Sequence, residues 1–70
     1  MSYRGEYRAR DPRAKRTWWD PVPEQASLWH TVFTARKEAA RRGLRLLRLR
    51  DETTGQDVDM LETLAGRGGS

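Results

Sequence analysis

The chain has 70 residues, a net charge of +4, 36% hydrophobic residues and no cysteine. That length allows one small domain with a thin core, and the missing cysteines exclude disulfide staples and thiolate metal centres. No apolar run approaches the ~18 residues of a membrane span, and the N-terminus lacks a signal-peptide core, so a cytoplasmic or phage-particle protein with no membrane partner is expected.

Charge is spread unevenly along the chain. Residues 1–20 carry six basic and three acidic groups, residues 21–50 seven against two, and residues 51–70 one against five. The first fifty residues therefore favour anionic partners, and the last twenty offer an acidic counter-surface.

Residues 1–20 read as an extended basic and aromatic arm. Arg4, Arg8, Arg10, Arg13, Lys15 and Arg16 are threaded among Tyr3, Tyr7, Trp18 and Trp19, with hardly an aliphatic residue between them. Guanidinium groups form forked contacts with phosphate or carboxylate, and aromatic rings stack on bases. Trp18 and Trp19 have a second use, folding back over the start of the following helix.

Asp20-Pro21-Val22-Pro23 punctuates the chain, and a helix is predicted over residues 23–42. Its apolar positions fall in two rows, 28-32-35-39 and 29-33-40, giving one broad stripe. Arg41 and Arg42 suit the negative end of the helix dipole, Glu38 is spaced to pair with Arg42, and Gly43 is the expected left-handed stop.

Residues 44–50 alternate leucine and arginine except for a parity slip at Leu46-Leu47, which a bulged strand accommodates. Thr53-Thr54-Gly55 is a turn signal, and Gln56 to Met60 returns as a second strand with Val58 and Met60 facing one side. The predicted domain is thus α+β: residues 21–65 holding one amphipathic helix and a β-hairpin over residues 44–60. The alternative is a single long helix over 23–50. Leu61, Leu64 and Ala65 fall at helical spacing, and residues 66–70, with one Arg67-Gly68-Gly69 triplet, read as a flexible tail.

Catalytic signals are thin. His30 is the single histidine, Ser27 lies one helical turn before it, and Asp51, Glu52, Asp57 and Asp59 do not follow a calcium-loop pattern. Pairing of those acids with Arg45, Arg48 or Arg50 across the hairpin is the expected use. No enzyme, metal or cofactor is expected.

A second basic surface runs through Arg36, Lys37, Arg41, Arg42 and Arg45. Together with the arm it suggests a small accessory protein that binds nucleic acid, or a nucleoprotein complex, through backbone contacts. The alternative is a structural or adaptor subunit of a protein assembly, such as a phage-particle component or a regulator docked on a larger enzyme, anchored by its arm. A lone hairpin covered on one face also needs a second copy or an obligate partner to complete its layer.

Overall fold

The computed structural model describes residues 2–66. Tyr3, Gly5, Tyr7 and Ala9 alternate with Arg4, Glu6 and Arg8, and this period of two forms strand β1 (Tyr3–Ala9). In the loop that follows, the Asp11 carboxylate accepts the Arg13 N–H at 2.9 Å. Its carbonyl accepts the Ala14 N–H, also at 2.9 Å. The chain then returns as β2 (Thr17–Val22), antiparallel to β1.

The expected free arm is therefore a β-hairpin that precedes the helix. The physical reason lies in the two tyrosines, which are 7% and 6% exposed. Their rings supply the core area that aliphatic side chains supply elsewhere, so a segment poor in aliphatics still folds.

Helix α1 (Leu28–Arg41) starts five residues later than predicted, because residues up to Val22 belong to β2. Ser27 is its cap: the hydroxyl oxygen accepts the His30 N–H at 3.1 Å. The C-terminal end is as expected, with Gly43 in the left-handed region at φ +70°. Glu38 pairs with Arg41 rather than with Arg42, accepting from Nη2 at 2.5 Å and from Nε at 3.1 Å.

Strand β3 (Leu44–Asp51) follows directly, so the long-helix alternative is set aside. Residues 52–55 turn the chain, Gly55 adopts φ +73°, and its N–H donates to the Asp51 carbonyl at 2.8 Å. Strand β4 is short (Gln56–Val58), and Met60 begins α2 (Met60–Ala65) instead of ending the strand. The Asp59 carboxylate accepts the Glu62 N–H at 3.1 Å and caps that helix.

The four strands form one antiparallel sheet in the order β2-β1-β3-β4, with β1 in its interior. Tyr7 lies opposite Trp18 on one side and Leu46 on the other, while Glu6 lies opposite Trp19 and Arg48. Leu47 has no partner in this register, and the bulge it makes absorbs the parity slip seen in the sequence.

Helix α1 covers one sheet face. Val32, Ala35 and Ala39 pack with Tyr3, Tyr7, Val22 and Leu49, and Val32 and Leu49 are fully buried. Gly5 makes room here: a Cβ at this position would lie 2.7 Å from a Leu46 methyl carbon. The second predicted apolar row is displaced from this core. Phe33 is 45% exposed and stacks on Trp29 at 4.9 Å, while the Trp29 indole N–H donates to the Leu64 carbonyl at 3.2 Å and ties α1 to α2. The premise of a two-stranded layer awaiting completion therefore gives way to a four-stranded sheet with its own helical cover.

Among the described residues no helix is long and apolar enough to cross a membrane. The predicted tail falls outside the described residues except for Gly66.

Candidate nucleic-acid interface

The sheet face turned away from α1 carries Arg4, Glu6 and Arg8 from β1, Trp19 from β2, Arg45, Arg48 and Arg50 from β3, and Asp57 from β4. Its centre is occupied by its own counter-charges. Arg48 Nε donates to Glu6 at 2.8 Å, and Arg50 Nε donates to Asp57 at 3.0 Å. Both guanidinium groups also lie over the Trp19 ring, with centroid distances of 5.9 Å for Arg48 and 4.6 Å for Arg50. Arg4 is satisfied by Glu52 at 2.7 Å. The expected pairing of the hairpin acids with arginines thus takes place at Asp57, with Arg50 and, at 3.8 Å, Arg48.

The aromatic half of the predicted interface is largely inside the molecule. Tyr3 and Tyr7 are core residues, and burial pushes both phenols above their ordinary pKa. Trp18 sits on the helix side of the sheet, stacked on Tyr7 at 6.3 Å, and its indole N–H donates to Asp20 at 2.9 Å. Trp19 is half-buried beneath arginines. Base stacking by an open aromatic arm is therefore not what these rings are arranged for.

The basic half is brought together. β1 ends opposite the start of β3, with Ala9 paired to Leu44, so the 10–16 loop lies at the same end of the sheet as the C-terminus of α1. The Arg10 N–H donates to the Gly43 carbonyl at 3.1 Å and fixes the two segments to each other. Arg8, Arg10, Arg13, Lys15, Arg16, Arg36, Lys37, Arg41, Arg42 and Arg45 all belong to this end, accompanied by the acids Asp11 and Glu38. Two of the ten are paired: Arg41 with Glu38, which holds that carboxyl below the usual range, and Arg13 with Asp11 at 3.6 Å.

Acidic groups gather at the opposite end. The end of β3, the turn after it and β4 carry Asp51, Glu52 and Asp57, of which Glu52 and Asp57 are balanced by Arg4 and Arg50, and the Glu52 N–H donates to the Ser2 carbonyl at 2.9 Å beside the start of β1. A seven-residue strand separates the two ends by roughly 20 Å. The molecule is a charge dipole.

Of the predicted site residues, Arg8, Arg10, Arg13, Lys15, Arg16, Lys37, Arg41, Arg42 and Arg45 are thus joined at one pole, while Arg4, Trp18 and Trp19 are not part of it. Arg36 joins them from the flank of α1. Ser27 and His30 do meet, with the hydroxyl 2.8 Å from Nδ1, but that hydroxyl is engaged as the helix cap. No family model matches the chain, and no curated protein or solved structure matches it.

Proposed function

We propose that this is a small non-enzymatic accessory protein that binds nucleic acid through the sugar–phosphate backbone, using the basic pole. The observation carrying the reading is the convergence of two basic clusters, distant in sequence, through the Arg10–Gly43 hydrogen bond and the β1–β3 register. Ten basic side chains against two acidic ones at one end make a field suited to a polyanion. The pole is built from loop and helix ends rather than a helix presented for groove insertion, which favours contact with phosphates over reading of bases.

Titration of labelled duplex DNA, single-stranded DNA and RNA by fluorescence anisotropy tests this. With five phosphates engaged, log affinity falls against log salt with a slope of about −4.5 on duplex DNA and about −3.5 on a single strand. Absence of binding to all three at low salt overturns the reading.

A second reading, a subunit of a protein assembly, draws on exposed apolar side chains of the helical layer: Leu28 at 40%, Phe33 at 45% and Leu61 at 73% exposure. Mass that grows with concentration in sedimentation, unchanged by salt, favours it.

A further inference from the structure

We propose that the open edge of β3 over residues 44–47 takes an extended segment of a partner protein, in which acidic residues alternate with apolar ones. The inference does not rest on the nucleic-acid reading.

Strand β4 is three residues long and pairs only with Leu49, Arg50 and Asp51. The chain then turns into α2, whose Leu64 carbonyl accepts the Trp29 indole N–H of α1. Before Leu49, β3 therefore has no strand neighbour on that side among the described residues.

Parity decides which backbone groups are left over. The Arg10 N–H donates to the Gly43 carbonyl and the Ser2 carbonyl accepts from Glu52, so the even-numbered residues of β1 turn their backbone groups toward β3. Their partners Arg45, Arg48 and Arg50 turn back toward β1. Leu44 and Leu46 occupy the alternate positions, and their N–H and C=O groups face the vacant side. No described residue bonds to these four groups. An apolar edge of this kind is a template for another strand.

A recess of about 330 Å³ lies at the same edge, lined by Leu44, Leu46, Arg10, Arg36 and Arg45. Arg36 belongs to the helix covering one sheet face, while Arg45 lies opposite Arg8 on the other face. The recess thus wraps the edge instead of sitting on either face. On the helix side a groove of about 450 Å³ shares Arg10 and Arg36 with it and runs along Phe33, Ala40 and Leu64, with Lys37 beside them. An added strand sends alternate side chains to the two faces. One set meets Leu44, Leu46 and the groove, and the other meets Arg45.

The short β4 indicates the chemistry of such a neighbour. Asp57 pairs with Arg50 at 3.0 Å and reaches Arg48 at 3.8 Å on the outer face, while Val58 packs against the core. Arg45 stands in the same outer row, where β4 no longer runs, so the corresponding acid comes from the partner. Main-chain bonds to Leu44 and Leu46 supply affinity, and the outer arginine row with the apolar groove selects the sequence.

Amide exchange followed by NMR at low ionic strength tests this, with a short capped peptide of alternating valine and aspartate as the probe. In the protein alone, the Leu44 and Leu46 amides are expected to exchange at least roughly tenfold faster than those of Arg45 and Arg48. Saturating peptide is expected to slow Leu44 and Leu46 to the rate of their neighbours. Protected Leu44 and Leu46 amides in dilute protein, or unprotected ones at peptide saturation, overturn the proposal.

Two further variations separate strand addition from attraction to a basic surface. The valines and aspartates of an extended peptide present their N–H groups to opposite edges. N-methylating one of the two sets is therefore expected to abolish binding, and N-methylating the other to leave it. Equal binding by both methylated peptides overturns strand addition. Arg45→Glu is expected to weaken the aspartate peptide roughly tenfold and to admit a valine–lysine peptide that the parent refuses. Parent protein that takes the two peptides equally well overturns the acidic assignment. Protection of Leu44 and Leu46 that grows with protein concentration alone makes a second copy the occupant and overturns it too. Peptide binding by a protein indifferent to nucleic acid supports the edge site while overturning the proposed function.

Discussion

Leu49 and Phe33 show how little of the apolar inventory carries this core. Leu49 is fully buried beneath α1 in the strand that pairs with β1, whereas Phe33, the larger side chain, is 45% exposed. Truncating Leu49 removes contacts on every side and leaves a cavity, at a cost of about 2–5 kcal/mol. For a domain of this length that range matches the whole net stability, commonly ~3–5 kcal/mol. Leu49→Ala is therefore expected to be unfolded or partly unfolded at 25 °C. Phe33→Ala loses one stacked contact with Trp29, worth about 1 kcal/mol, and is expected to stay folded. Urea melts of the two variants check the contrast, and equal destabilisation would contradict the assignment of the core.

At the scale of elements, β1 carries most of the architecture. It pairs on both sides, contributes Tyr3 and Tyr7 to the core, and ends where the basic segments meet. Burial raises both phenols above their ordinary value of 10.0, with Asp51 and Glu24 adding to the effect at Tyr3 and Asp20 at Tyr7, where Arg42 opposes it. The unfolded chain releases these protons first. The stability linked to them is thus complete below pH ~10 and is lost as pH rises through the folded-state values. Alkaline unfolding that begins with loss of β1 is expected, with tyrosinate absorbance rising in step with loss of the sheet signal in circular dichroism. Tyrosinate formation at pH ~10 in a protein that keeps its sheet would place the rings outside the core. The strand was also legible beforehand. Tyr3-Arg4-Gly5-Glu6-Tyr7-Arg8-Ala9 alternates as cleanly as Leu44 to Arg50, where the bulge, the turn at Gly55 and the stop at Gly43 all follow from local chemistry. Its apolar positions are aromatic or small instead of aliphatic, so composition favours a solvated arm while periodicity favours a strand. Asp20-Pro21 misleads in the same way: a cap-and-proline pair is a helix start in isolation, yet here it closes an edge strand where a missing N–H costs nothing. The candidate site needed more than local signals. Each basic cluster can be seen in the chain, but their union depends on a register between residues 3–9 and 44–51 that no nearby residue specifies.

For the molecule as a whole, the dipole sets binding against stability. Arg16 and Arg13, the latter only loosely paired with Asp11 at 3.6 Å, sit in the exposed loop of a pole where most cations lack a counter-charge, so both are repelled by the other cations in the free protein and attracted by a polyanion in the complex. Reversing both charges, as Arg13→Glu with Arg16→Glu, relieves the first effect and removes the second. The double variant is expected to melt roughly 2–5 °C higher than the parent at low ionic strength, and the two melting temperatures should converge as the Debye length shrinks to ~3 Å near 1 M salt. Over the same range its nucleic-acid affinity should fall steeply at low salt and differ little from the parent at high salt. Arg13→Glu gives up the exposed 3.6 Å pair with Asp11. The backbone N–H of residue 13 still reaches the Asp11 carboxylate, Ala14 still donates to the Asp11 carbonyl and Arg10 to Gly43, so the loop keeps its anchors. Stability and binding then move in opposite directions through one electrostatic cause. A double variant that loses both binding and stability would show instead that the loop arginines support the sheet, and a variant that loses neither would place the polyanion elsewhere on the surface.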